Sequence, residues 1–277
     1  MPRAQVGAIS LNYETAGSGF PLVLIHAWPT DHAIWQLQMP VFSRDYHTIA
    51  VDLRGLGQSD KPPAPNTPEI MARDLVGLLD ALGIERAAVC GISLGGVVAA
   101  QMTLDAPQRV ASAVWVGAPS YVDRFMITVG GETIPLAEVY LRVLEPEGYL
   151  GFWHKVWKAN IELLFNEEFV QSRLGTYLIE SLFEDRYARW NADARPIIDI
   201  LHGLSTWNIL DRLPTVTRPV QVVVGDHDPT FVYCEEQGRL TANAEYVVID
   251  NSGHFCNLDN PARFNQVVLD FLHRTAR

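Results

Sequence analysis

The sequence predicts an α/β protein with a mostly parallel central sheet, helices on both faces and one inserted helical segment. Strand and helix patterns alternate from the start of the chain to residue 118. The stretch 119–210 has helical spacing without convincing strands, and the alternation resumes over 211–277. Alternation of this kind favours a parallel sheet with flanking helices. We therefore predict a core of residues 1–118 and 211–277 and a helical cap, or lid, of residues 119–210.

Short apolar runs bounded by polar or turn residues mark the strands. Continuous apolar runs of four to eight residues are typical of strands that are buried on both faces of a parallel sheet. The predicted strands cover residues 22–25, 48–51, 87–90, 110–116, 219–224 and 246–249.

The helices between these strands have recognisable ends. Thr67 suits the N-cap of the first helix, Pro68 suits its first turn, and Gly83 is typical of the position that follows a helix. Apolar residues between Thr67 and Gly83 recur at the spacing of one helix face. Two further helices are predicted over residues 94–104 and 261–272.

Composition and charge narrow the function classes. The formal net charge is −11, and no Lys/Arg cluster interrupts it, so we expect no nucleic-acid partner and a neutral small-molecule substrate. No apolar run approaches the roughly 18 residues of a membrane helix, and the first ten residues do not resemble a signal peptide. We expect a cytoplasmic monomer or homodimer with no membrane partner. Metal and nucleotide motifs are absent from the sequence, so we expect neither metal nor cofactor.

Aromatic residues concentrate in the inserted segment. Of 27 Phe, Trp and Tyr residues, 14 lie between Tyr121 and Trp207, a stretch of less than a third of the chain. This enrichment suits an apolar pocket between the cap and the core. We predict that the substrate pocket is lined by Trp28, Phe125, Trp207 and Phe255.

A G-x-S-x-G pentapeptide is centred on Ser93. It follows the strand predicted over 87–90 and opens the helix predicted over 94–104, which is the context that a nucleophile elbow requires. Such a turn exposes the serine hydroxyl, and the crowding of strand and helix requires small residues on both sides. Gly91 and Gly95 meet that requirement. We therefore predict that Ser93 is a catalytic nucleophile.

A serine nucleophile needs a base, and His254 is the best placed of eight histidines. It lies on a loop between the strand predicted over 246–249 and the last helix, at the carboxyl edge of the sheet where sites form in parallel sheets. We predict that His254 accepts the proton of the nucleophile.

The base in turn needs a carboxylate that holds its tautomer. Asp226 and Asp228 both follow the strand predicted over 219–224. We favour Asp228, because the turn after Gly225 should carry Asp226 outward. Asp226 would then be a turn residue that bonds its own backbone.

The chain order Ser93, Asp228, His254 is that of α/β hydrolases. With the segments at 26–29 and 52–59, these motifs resemble the α/β-hydrolase superfamily over nearly the whole chain. The later part is most similar to small bacterial carboxylesterases and lactonases of the enol-lactonase and acyl-homoserine-lactonase type. The resemblance implies the α/β-hydrolase fold with a helical lid.

An acyl-transfer site also needs N–H donors for the oxyanion. The backbone N–H of Leu94, directly after the nucleophile, is the first donor that we predict. The resemblance implies a second donor in the loop after the first parallel strand. The family usually has His-Gly there, whereas this chain has Ala27 after His26, which leaves Ala27 and Trp28 as alternatives. We favour Trp28. The family also implies that His26 braces this loop by hydrogen bonding.

Asp52 and Arg54 lie close together in a short charged loop. We interpret both as structural, with Asp52 holding the turn and Arg54 bonding backbone carbonyls.

A serine at the nucleophile position restricts the chemistry to acyl centres. Relatives that cleave haloalkanes or epoxides have Asp there and are excluded. We predict a serine hydrolase that cleaves carboxylic esters or lactones through an acyl-enzyme intermediate. The alternatives are C–C hydrolysis of a diketone, for which Arg124 and Arg189 in the cap would bind the carboxylate, acyl transfer or perhydrolysis, and a ligand receptor built on the same fold.

Overall fold

A computed structural model of the chain describes residues 1–122, 126–129, 132–186, 189 and 193–276. Its strands, in chain order, are β1 (Arg3–Val6), β2 (Ile9–Ala16), β3 (Phe20–Ile25), β4 (Tyr46–Val51), β5 (Ala87–Ile92), β6 (Val110–Val116), β7 (Met126–Val129), β8 (Glu132–Pro135), β9 (Val220–Gly225) and β10 (Ala244–Ile249).

Eight of these strands form the central sheet, in the order β1-β2-β4-β3-β5-β6-β9-β10. The six strands from β4 to β10 are parallel, and β1 and β2 add an antiparallel edge. Every residue of β5, β6 and β9 is buried, which explains their predominantly apolar sequences. The predicted α/β-hydrolase fold with a mostly parallel sheet is confirmed.

Helices flank the sheet and also make up most of the inserted segment. They are α1 (Met39–Phe42), α2 (Pro68–Ala81), α3 (Leu94–Asp105), α4 (Leu136–Phe152), α5 (Glu167–Gln171), α6 (Arg173–Ile179), α7 (Arg195–Ser205), α8 (Phe231–Leu240), α9 (Cys256–Asp259) and α10 (Pro261–Thr275).

The ends of α2 agree with the sequence in part. Thr67 is the N-cap residue in extended conformation and Pro68 is the first helical residue, but the Thr67 side chain makes no capping hydrogen bond. Gly83, directly after the C-cap, has a positive φ of 67°, which glycine adopts without steric cost. The helix α8 and the hairpin of β1 and β2 were not predicted from the sequence.

The inserted segment lies between β6 and β9. It contains α4 to α7 and shorter helical turns, as predicted, but β7 and β8 form an antiparallel pair within it. The expectation that this segment has no strands was therefore wrong, because strands of four residues are too short to give a recognisable alternation. The two connections to the core run side by side: the Val122 N–H donates to Trp207 O at 3.0 Å and the Ile209 N–H to Ser120 O at 2.9 Å.

Within the described ranges, the chain has no helix of the length and apolar character needed to span a bilayer.

Candidate active site

Ser93 occupies a strained turn between β5 and α3. Its φ of 54° and ψ of −118° lie outside the conformations that a side chain other than glycine ordinarily adopts. The Ser93 N–H is held by the carbonyl of Val116 on the neighbouring strand at 2.8 Å. The turn therefore lies at the carboxyl edge of the sheet, where parallel sheets form their sites.

Two glycines allow this turn to form. A Cβ at Gly91 would lie 2.1 Å from the carbonyl oxygen of Gly95, and a Cβ at Gly95 would lie 2.1 Å from the carbonyl oxygen of Ile25. Both contacts are with backbone atoms, which cannot rotate away. The small residues predicted from the pentapeptide are therefore required by the packing of α3 against β3 and β5.

His254 and Asp228 form a hydrogen-bonded pair at the same edge. The Nδ1 atom of His254 lies 2.9 Å from Oδ2 of Asp228, and the Asp228 residue is only 4% exposed. A histidine whose Nδ1–H donates to a carboxylate presents a neutral Nε2 that can accept a proton.

Asp226 has a different partner. Its carboxylate accepts the backbone N–H groups of Asn251 and Ser252, each at 3.0 Å. Burial raises the pKa of Asp226, but the hydrogen bonds from these N–H groups and the charge of His227 together lower it by more. The pKa of Asp226 is therefore below its ordinary value. Asp226 therefore fixes the loop that carries His254, rather than only its own turn as expected.

The pKa of His254 is raised above its ordinary value of 6.5. Burial lowers it, whereas the charge and the hydrogen bond of Asp228 raise it by more. The pair therefore stabilises the imidazolium that a general base becomes after it accepts a proton.

Ser93 and His254 line one cavity of about 420 Å³. The hydroxyl of Ser93 forms no hydrogen bond with the other described residues; contacts between a nucleophile and its base often tighten only with substrate bound. The apolar residues that line the cavity include Val97, Val122, Leu163, Leu201 and Leu204. Among its described lining residues there is no Lys, Arg, Asp or Glu.

The two predicted oxyanion donors, Trp28 and Leu94, also line this cavity, whereas Ala27 is fully buried and does not. His26 braces the loop, as the resemblance implies: its Nδ1 lies 2.8 Å from the Ala27 carbonyl, and its Nε2 accepts the Leu53 N–H at 3.0 Å. Burial lowers the pKa of His26, more than nearby charges raise it, which keeps the ring neutral for this double contact.

Cap residues cover Trp28. Its indole stacks on Tyr140 at an interplanar angle of 7°, with ring centroids 5.7 Å apart, and meets Phe152 and Trp157 edge-on. Tyr140 and Trp157 both line the cavity, and neither was predicted to do so. The aromatic enrichment indicated that such residues exist, but not which of them face the site.

The other predicted pocket residues lie elsewhere. Trp207 is buried beside α3, where its Nε1–H donates to Gln101 Oε1 at 2.8 Å. Phe255 is fully buried, and its ring packs edge-on against Trp157, with ring centroids 6.1 Å apart, in a cluster of cap aromatic residues. Neither lines the cavity, because each side chain is taken up by packing partners.

Three cap residues were also named from the sequence: Phe125 as a pocket residue, and Arg124 and Arg189 as carboxylate-binding residues for C–C hydrolysis. Phe125 and Arg124 lie outside the described residues. Arg189 is exposed and does not line the cavity.

Asp52 is structural, as expected. It is fully buried and accepts hydrogen bonds from the N–H of Gln58 at 2.8 Å and from Nδ1 of His32 at 2.6 Å. The expectation for Arg54 was wrong, because its guanidinium pairs with the carboxylate of Asp74 on α2 rather than with backbone carbonyls.

Among the described residues, one group has spacing that suits a metal ion, formed by Asp31, His32 and Asp52. Its donor atoms already have partners within the protein. Nε of Arg186 donates to Asp31 at 2.9 Å, and His32 is bound to Asp52. These contacts are those of an ion-pair network that holds the loop after β3.

Sequence and structure comparisons show which known proteins this chain is similar to. The family described as the alpha/beta hydrolase fold matches residues 21–261. A 2-hydroxy-6-oxononadienedioate/2-hydroxy-6-oxononatrienedioate hydrolase from Paraburkholderia xenovorans is 28% identical over 96% of this chain and 91% of its own length. The 3-oxoadipate enol-lactonase 1 of Acinetobacter baylyi is 26% identical over 91% of this chain and 88% of its own.

A similar solved structure is that of a thermophilic esterase from Thermogutta terrifontis with malate bound. It superposes with a TM-score of 0.83 at 26% sequence identity and covers 100% of this chain and 99% of its own. The similar proteins thus include an esterase, an enol-lactonase and a hydrolase named for an oxononadienedioate substrate.

Proposed function

This chain belongs to the alpha/beta hydrolase family, and on that premise we propose that it hydrolyses carboxylic esters or lactones through an acyl-enzyme on Ser93. The observation that carries the proposal is the His254–Asp228 hydrogen bond of 2.9 Å beside a cavity that also exposes the strained Ser93 turn. A nucleophile, a base and an orienting acid at one cavity are the parts that acyl transfer requires.

The first half of the reaction forms the acyl-enzyme. Oγ of Ser93 attacks the carbonyl carbon of the substrate while Nε2 of His254 takes the hydroxyl proton. Asp228 stabilises the resulting imidazolium. The backbone N–H groups of Leu94 and Trp28 bind the oxyanion of the tetrahedral intermediate. The intermediate then expels the alcohol, which receives the proton from His254.

The second half releases the acid. Water enters, His254 takes one of its protons, and the hydroxide attacks the acyl carbon. Collapse of the second tetrahedral intermediate breaks the bond to Ser93 Oγ and returns the proton to it. With a lactone, the alcohol stays attached to the acyl group, and the product is a hydroxy acid.

The cavity supports a neutral substrate with an apolar acyl part. Its walls are mainly Leu, Val and aromatic side chains, and its described lining residues include no cation that would bind a carboxylate. The formal net charge of −11 points the same way, because it repels anions.

C–C hydrolysis is the rival, because a relative over most of the chain carries the name of a dienedioate hydrolase. Such a substrate is an anion, and burying its carboxylate without a paired cation is costly. The described lining of the cavity offers it no such partner.

A substrate panel separates the two. We would measure kcat/KM for uncharged p-nitrophenyl esters, acyl-tailed γ-lactones and a vinylogous diketone acid, each against the Ser93→Ala variant as blank. The proposal expects turnover of the esters or lactones that the Ser93→Ala variant lacks. A kcat/KM for the diketone acid that is orders of magnitude higher would overturn the assignment in favour of C–C hydrolysis.

A further inference from the structure

The loop that carries His254 is bonded along its backbone to the cap. The N–H of His254 donates to the carbonyl of Leu163 at 3.1 Å, and the N–H of Phe255 donates to the carbonyl of Leu164 at 3.0 Å. The base of the proposed triad is therefore attached to the inserted segment by its own main chain.

Asp259 ties the same two segments together by its side chain. Its Oδ2 accepts the N–H of Gly253, directly before His254, at 2.8 Å, and the N–H of Asn166 in the cap at 2.9 Å. The Asn166 side chain returns to the loop and donates from Nδ2 to the carbonyl of Asn251 at 2.8 Å. One carboxylate oxygen thus joins the histidine loop to the cap.

Gly253 makes this close approach possible. A Cβ at this position would lie 2.4 Å from the carbonyl carbon of Leu164 and 2.5 Å from the N atom of Phe165. Both are backbone atoms, so any side chain at position 253 would push the cap segment away from the loop.

The carboxylate of Asp259, which makes these contacts, is partly buried. Burial raises its pKa by more than its hydrogen bonds, first among them those from the N–H groups of Gly253 and Asn166, lower it, so the pKa is about 6. Its second oxygen, Oδ1, is buried and has no hydrogen-bond partner among the described residues. An aspartate in such surroundings is explained most simply by the two N–H groups that it holds in place.

We propose that Asp259, together with cap residues 163–166, is a positioning device for His254. This inference rests on the proposed function. Asp228 fixes the Nδ1 side of the imidazole ring, and the contacts of Asp259 and of Leu163 fix the main chain from which the ring projects. Nε2 is thereby held toward Ser93 only while the cap segment stays in contact with the loop.

The test uses two variants and a control in the full-length enzyme. Asp259→Asn removes the charge at nearly constant shape. Gly253→Ala separates the cap segment from the loop and leaves Asp259 in place. Asp270→Asn, at an exposed position on α10, is the control. For each, kcat and KM are measured on the best ester, and active sites are counted with a serine-directed phosphonate. The low-field Nδ1 proton of His254 is followed by NMR.

We expect kcat per titrated site to fall by about tenfold or more in Asp259→Asn and in Gly253→Ala. The position of the base affects the energy of the transition state and not the binding of the substrate, so its misplacement lowers kcat. KM should change by less than about twofold, and the low-field proton should shift or broaden. The control should match the wild type in all three measurements.

The inference is overturned if both variants keep the wild-type kcat per titrated site and an unchanged low-field proton. It is also overturned if their activity loss equals their loss of titratable sites, which would mean a purely structural role. A wild-type enzyme that the phosphonate does not label at Ser93 would instead refute the proposed function.

Discussion

Thr230 donates two hydrogen bonds to a single oxygen of Asp228. Its N–H lies 2.7 Å and its hydroxyl 2.8 Å from Oδ1 of Asp228. The other oxygen, Oδ2, is thereby left to His254 at 2.9 Å. Each carboxylate oxygen has its own partner, so the carboxylate cannot rotate and the imidazole ring has one preferred orientation.

The first prediction distinguishes the two neighbouring aspartates. Asp228→Asn keeps the shape of the side chain but favours the wrong tautomer of His254, and kcat should fall by about 10⁴, as in a well-studied protease triad. Asp226→Asn loses only part of its contacts with the backbone of the 251–252 loop, so its kcat should fall far less. Steady-state kinetics of both variants on one ester decides the assignment. A larger loss in Asp226→Asn would reverse it.

The second prediction concerns pH. His254 must be neutral to accept the Ser93 proton, so kcat/KM should fall as pH decreases through the pKa of His254. Because Asp228 raises that pKa by more than burial lowers it, the midpoint of the acid limb should lie above pH 6.5. The profile should be measured with an uncharged ester between pH 5 and 9, so that the substrate does not titrate. A profile that is flat from pH 5 to 8 is incompatible with a histidine base.

The third prediction concerns the Ser93 turn. Gly91→Ala places a Cβ 2.1 Å from the carbonyl oxygen of Gly95, and the overpacked turn should lower the free energy of unfolding by at least about 2 kcal/mol. Gly7→Ala is the comparison, because a Cβ there meets no atom within 4 Å. Its φ of 57° alone should cost about 1 kcal/mol. Urea unfolding of both variants measures the difference, and equal losses would mean that crowding does not select glycine at Gly91.

The fourth prediction concerns the cavity. Each methylene of the acyl chain that enters it contributes at most about 0.8 kcal/mol, which corresponds to about a fourfold rise in kcat/KM. We expect a stepwise rise along a series of p-nitrophenyl esters, followed by a plateau once the cavity of about 420 Å³ is full. The Leu204→Trp variant, which narrows the cavity, should reach the plateau at a shorter chain. A series with no dependence on chain length would place the acyl group outside this cavity.

The residues of the proposed triad were predictable because each has a local signature. Ser93 stands in a strand–turn–helix pentapeptide, and Asp228 and His254 each follow a strand of apolar residues. In a parallel sheet, the carboxyl ends of neighbouring strands meet at one edge, so three local patterns are enough to bring the side chains together.

The cavity walls were less predictable, because they depend on how the cap folds over the core. Trp207 and Phe255 are aromatic residues that were expected to line the cavity. Trp207 instead donates a hydrogen bond to Gln101, and Phe255 stacks on Phe165 of the cap. Tyr140 and Trp157 face the site instead. Helical spacing shows which residues share a helix face but not what that face contacts.

The contacts of Asp259 that join the loop carrying His254 to the cap could not be predicted from the sequence either. Asp259 and Asn166 are separated by 93 residues, and neither belongs to a motif. Their contact follows from the return of the cap over the carboxyl edge of the sheet.

A mass measurement tests directly whether Ser93 is the nucleophile. The purified enzyme is incubated with a serine-directed fluorophosphonate, digested and analysed by mass spectrometry, with Ser93→Ala and His254→Ala treated in parallel. We predict one adduct per chain on the peptide that contains Ser93, no adduct in Ser93→Ala, and greatly slowed labelling in His254→Ala. An adduct on another residue, or a Ser93→Ala variant that keeps the wild-type kcat, would contradict the claim that Ser93 is the nucleophile.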